Sequence, residues 1–112
     1  MKSILVALVL LGLAVSMFAA VGTWKNVTLI DSMCAAKMKD NPDAHTTACA
    51  LSCADSGLGI LTADGTFLKF DAVGQQMGVA ALKGTKKKDH LRATVTGELV
   101  NDILQVQYLK LD

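Results

Sequence analysis

GILTADGTFLKFD, Gly59 to Asp71, narrows the choice of fold more than any other stretch of this chain. Two short apolar runs, Ile60–Ala63 and Thr66–Phe70, flank Asp64-Gly65. Asp-Gly between such runs is a tight-hairpin signature, because both residue types tolerate positive φ. Phe67 falls out of phase with Leu68 and Phe70, which implies burial on both sides of that strand or a bulge.

The neighbouring segments supply the remaining elements. TWKNVTLIDS, Thr23 to Ser32, is rich in β-branched residues and reads as a first strand. After it, Asn41-Pro42-Asp43 breaks the chain ahead of a helix expected from Ala44 to Ala54, which Gly57 and Gly59 close off. DAVGQQMGVAALKG is a short helix diluted by Gly74 and Gly78. At the C-terminal end, Leu91, Ala93 and Val95 alternate with polar residues, and Ile103–Leu111 alternates again. Asn101-Asp102 is the turn between these last two strands. The order is strand, helical insertion, hairpin, helix, hairpin. It predicts a mainly β fold: a five-stranded OB-like barrel with a helix-bearing insertion (33–57) between strands 1 and 2 and a short helix between strands 3 and 4.

The ends and the totals set the setting. Lys2 and an apolar run from Ile4 to Val21 have the form of a secretory signal, with Ala20-Val21-Gly22 offering small residues to a peptidase. The expected boundaries are a leader at 1–22 and a single domain at 23–112, with a cut after Ser16 as the alternative. An uncleaved run would act as a membrane anchor. About 90 residues remain after the leader, enough for one small core. Without Lys2 the chain has ten basic and ten acidic residues, so nucleic acid is not an expected partner. Lys86-Lys87-Lys88-Asp89 reads as a solvated loop, and His90 after it as an exposed side chain.

A small extracytoplasmic core often carries a covalent or metal fastener. The candidates are three cysteines and one histidine. His45, Cys49 and Cys53, spaced by four, fall within an arc of about 80° if all three lie on one helix. Cys34 can fold back on that face. One reading is a disulfide from Cys34 to Cys49 or Cys53, which leaves an odd thiol. A second is a Cys3His metal site of Cys34, His45, Cys49 and Cys53 for zinc or copper, with Met33 and Met38 as flanking thioethers. A third is thiol-redox exchange, although the spacing between Cys49 and Cys53 is one residue longer than the usual redox pair. Asp31 serves as a helix cap or as a carboxylate orienting His45. No Ser-His-Asp arrangement, phosphate loop or carboxylate pair is present to indicate an enzyme.

The pattern resembles a group of small secreted bacterial proteins of unknown function. The shared frame is a Trp-led first strand (Trp24), Asp31-Ser32-Met33-Cys34, then His45, Cys49 and Cys53, a glycine-rich hairpin start at Gly57–Ile60, and Val95-Thr96-Gly97 followed by Ile103–Val106. The group often has Gly after the first cysteine where this chain has Ala35. The resemblance implies an OB-like barrel and a periplasmic or secreted location, and brings no activity. The function expected is that of a non-enzymatic binding domain holding a soft metal. The alternatives are a disulfide-stapled interaction module and a thiol-redox protein.

Overall fold

The computed structural model describes residues 20–112, so the expected leader at 1–22 lies outside the described residues except for its last three positions. Five strands close a barrel: β1 (Val21–Asp31), β2 (Leu58–Leu61), β3 (Phe67–Phe70), β4 (Arg92–Val100) and β5 (Ile103–Leu111). Their order around the barrel is β1-β2-β3-β5-β4, with β4 returning to β1. All pairings are antiparallel except β3 with β5. This is the OB-like arrangement expected from the element order. Three helices join it: α1 (Ser32–Ala35) and α2 (Thr47–Ser52) between β1 and β2, and α3 (Ala72–Gly84) between β3 and β4. Among the described residues no helix is long and apolar enough to cross a membrane.

β1 explains why the barrel needs its insertion. Its second half, Val27 to Asp31, is buried at every position, so both faces of the strand are covered. Leu29 packs into the main core with Leu58, Ile60, Leu91, Val95 and Leu104. Ile30 packs the other way, with Leu61 and Ala35, against Cys34, Met38 and Phe67. That second cluster is small, and Ile30 and Leu61 bring about 1.5–3 kcal/mol each when fully buried. The same arrangement explains Phe67, which faces the second cluster while Leu68 and Phe70 face the first. Ala35 is 4% exposed within a regular helical turn, so no glycine is required there.

α3 lies directly on the barrel because its glycines permit it. A Cβ at Gly74 would come within 2.5 Å of Val106 Cγ2, and one at Gly78 within 2.9 Å of Leu58 Cδ1. Asp71 caps the helix by accepting from the Gly74 N–H, and its carboxylate also accepts from the Val106 N–H. Gln75 ties the helix to the insertion: its Oε1 accepts from the Leu58 N–H at 2.7 Å and its Nε2 donates to the Ala54 carbonyl at 2.8 Å.

The two hairpins differ in mechanism. At Asn101-Asp102 both residues have positive φ (51° and 65°), and Val100 pairs with Ile103 across a two-residue loop. At the other hairpin only Gly65 has positive φ, +84°. The Gly65 N–H donates to the Thr62 carbonyl and the Thr62 N–H to the Thr66 carbonyl. The connection is therefore a turn through Ala63 and Asp64 followed by Gly65 in the left-handed region, and not a two-residue Asp-Gly loop. β1 is irregular between Trp24 and Val27, where Asn26 adopts φ 56°.

Candidate functional site

The end of β1 and the start of β2 are stitched together just outside the barrel. The Ser32 N–H donates to the Gly57 carbonyl at 2.9 Å, and the Ser32 hydroxyl to the Ser56 carbonyl at 2.7 Å. The Ser56 hydroxyl in turn donates to the Cys53 carbonyl at 2.7 Å and accepts from the Met33 N–H at 3.4 Å. These bonds hold α1, which carries Cys34, beside the turn that carries Cys53. The two cysteine sulfurs and one oxygen of Asp31 lie within 4.8 Å of one another.

Asp31 organises this point. It is wholly buried at the last position of β1 and is the N-cap of α1. Its Oδ2 accepts from the Cys34 N–H at 3.0 Å. Its Oδ1 lies 2.8 Å from His45 Nε2, and His45 is 3% exposed. An ionised carboxylate only accepts, so the ring nitrogen facing it carries the hydrogen. Asp31 is thus both the helix cap and the partner of His45, the two roles that the sequence had left as alternatives.

The expected helix from Ala44 to Ala54 is not one helix. Pro42–Ala44 forms a single 3-10 turn, His45 is extended at φ −69° and ψ 128°, and Thr46 caps a helix that begins only at Thr47. The Thr46 hydroxyl accepts from the Cys49 N–H at 3.1 Å, which stabilises this later start. Cys53 ends the helix as its C-cap. The common face of His45, Cys49 and Cys53 therefore does not form. Cys49 is exposed and stands outside the group of Asp31, Cys34 and Cys53. Of the four residues Cys34, His45, Cys49 and Cys53, the structure brings two sulfurs together directly and His45 only through Asp31. The three cysteines are free in the structure, and of the two expected disulfide partners of Cys34 only Cys53 lies in the same group.

Two further contacts fix the insertion from the far side. Arg92, at the start of β4, donates from Nε to Asp43 Oδ1 at 2.8 Å and from its terminal nitrogen to Oδ2 at 3.2 Å. The Arg92 guanidinium holds the Asp43 carboxyl below its usual range. Thr47 donates from its backbone N–H to the Lys88 carbonyl and from its hydroxyl to the Lys87 carbonyl, so the lysine run is a backbone anchor as well as a solvated loop. His90 is exposed, as expected.

The electrostatics at Cys34 favour its protonated form. Burial raises its thiol above the ordinary range, and the carboxylate of Asp31 and the sulfur of Cys53 push in the same direction. An attacking thiol in redox exchange needs the opposite shift. Two cysteine sulfurs and a carboxylate could together hold one borderline-soft cation, whose charge would offset that of two thiolates and the carboxylate. Around tetrahedral zinc two sulfur ligands stand about 3.8 Å apart and a sulfur and an oxygen about 3.6 Å, so the separations here, within 4.8 Å, would close by little more than about 1 Å. The signal for Asp31 was present in the sequence as cap spacing. As the N-cap of a helix, a carboxylate three residues before Cys34 is placed to accept from that residue's N–H.

Together, fold and site define a class: a small OB-like barrel with an aspartate–dithiol cluster where the end of β1 meets the β1–β2 insertion, backed by a buried histidine. Compared with protein families, with curated proteins and with solved structures, the chain has no match.

Proposed function

We propose that this chain is an exported, non-catalytic binding domain that holds one soft metal ion, zinc or copper, between Asp31, Cys34 and Cys53. The observation that carries the reading is the convergence within 4.8 Å of a carboxylate oxygen and a sulfur from one end of the insertion, Asp31 and Cys34, with the Cys53 sulfur from its other end. Asp31 supplies the oxygen ligand, and His45 positions that carboxylate from behind, in the manner of the outer partners that orient metal ligands. Cys49 has no part in the site. Binding would displace the thiol protons of Cys34 and Cys53. Export is the role of the apolar leader, with a mature N-terminus near Thr23.

The closeness of the two sulfurs also favours a second reading, a Cys34–Cys53 disulfide that staples the insertion and contributes about 3 kcal/mol. One experiment separates the two. Protein recovered after export is analysed for metal, and its thiols are counted with and without a chelator. The metal reading expects one equivalent of zinc or copper, lost in Cys34→Ser and in Cys53→Ser and kept in Cys49→Ser. One reactive thiol and no metal would replace it with the disulfide.

A further inference from the structure

Resting on the soft-metal reading above, we infer that the ion held by Asp31, Cys34 and Cys53 is divalent and keeps one coordination position facing solvent, where it takes a neutral external donor such as water or imidazole. The domain then presents its metal instead of sealing it in.

Three observations lead there. The first is the count of donors. Zinc in a closed structural site has four protein ligands, whereas an exchangeable site has three plus a water. Among the described residues the cluster contains three donors. The two other residues of the expected Cys3His set are spent elsewhere: Cys49 stands exposed outside the group, and His45 Nε2 is engaged by Asp31 Oδ1 at 2.8 Å.

The second is access. Asp31 is wholly buried, but Cys34 and Cys53 are each only partly covered. An ion seated among the three is therefore approached from the sulfur side. Met33, next to Cys34, is 67% exposed.

The third is charge. Two thiolates and one carboxylate carry three negative charges. A monovalent ion leaves two of them uncompensated in a partly buried place, and a divalent ion leaves one. The remaining negative charge disfavours an anionic fourth ligand and leaves neutral donors preferred. Loading releases two protons, one from each thiol, and involves no oxidation or reduction.

Cobalt(II) is the probe, because its visible d–d bands report the coordination shell. The reduced mature protein is loaded with Co²⁺ and titrated with imidazole, and gel filtration checks that the metal stays bound. The expected result is a saturable shift of the d–d bands, with Cys49→Ser and Met33→Leu giving the parent spectrum and the parent shift. Bands that ignore imidazole while the metal stays bound would overturn the inference and leave the metal reading standing. So would a changed starting spectrum in Cys49→Ser or Met33→Leu, since either would reveal a fourth protein ligand. Failure to take up either Co²⁺ or Zn²⁺ would remove both readings.

Discussion

His45 Nε2 lies 2.8 Å from Asp31 Oδ1, and the two residues are 3% and 0% exposed. This bond joins the last residue of β1 to the extended residue between the Pro42–Ala44 turn and α2. It fastens the insertion to the barrel at the point where the cysteines meet. Removing the ring leaves a buried carboxylate short of one donor, and such losses cost about 2–3 kcal/mol. His45→Ala should therefore lower the denaturation midpoint by an amount in that range, whether or not metal is present. An unchanged midpoint would mean that the bond does not hold the insertion.

Cys34 should titrate late. Its folded-state pKa is raised by burial, by Asp31 and by Cys53, so its proton stabilises the folded form. That contribution is complete below the ordinary thiol range and is lost as pH rises through the raised value. Metal-free, reduced protein should lose stability across that alkaline window, and Cys34→Ser should lose less. In alkylation at neutral pH the exposed Cys49 should react before Cys34. Equal rates at the two residues would contradict the assigned surroundings of Cys34.

The Asp43–Arg92 pair gives the opposite pH dependence. Arg92 depresses the Asp43 carboxyl, so the stability it contributes is present above the ordinary carboxylate range and is lost as pH falls through the depressed value. Both side chains are about one-third exposed, which keeps the contribution near 1 kcal/mol. Asp43→Asn should cost about that much at neutral pH and almost nothing in acid. A mutant that stays equally destabilised at both pH values would show that packing, not charge, is what was lost.

Gly65 stands at φ +84°, where a β-branched side chain is strained whatever the surrounding space. Gly65→Val should destabilise by about 1 kcal/mol or more. Gly65→Asn should cost clearly less, since Asn tolerates the left-handed region. Equal denaturation midpoints for the two variants would defeat the assignment of the turn.

What the sequence determined by itself was local. Gly65 and Asn101-Asp102 announced their turns because the need for positive φ is met by a few residue types within a few positions. The alternation of Leu91, Ala93 and Val95 announced a strand because side chains alternate between faces with a period of two. The order of these elements was enough for an OB-like barrel with an insertion after β1. The helix glycines, Gly74 and Gly78, lower helix propensity, but Val106 and Leu58 pack where their Cβ atoms would stand. The site depended on the tertiary structure. Spacing by four placed His45 with Cys49 and Cys53, but Thr46 capped the helix after His45 and released the ring toward Asp31. Cys53 met Cys34 because Ser32 and Ser56 bind the two ends of the insertion together, and no periodicity encodes a contact across that distance. A cap or a turn is decided by neighbouring backbone groups. Which side chains share a site is decided by where the barrel's strand ends bring separate segments into contact.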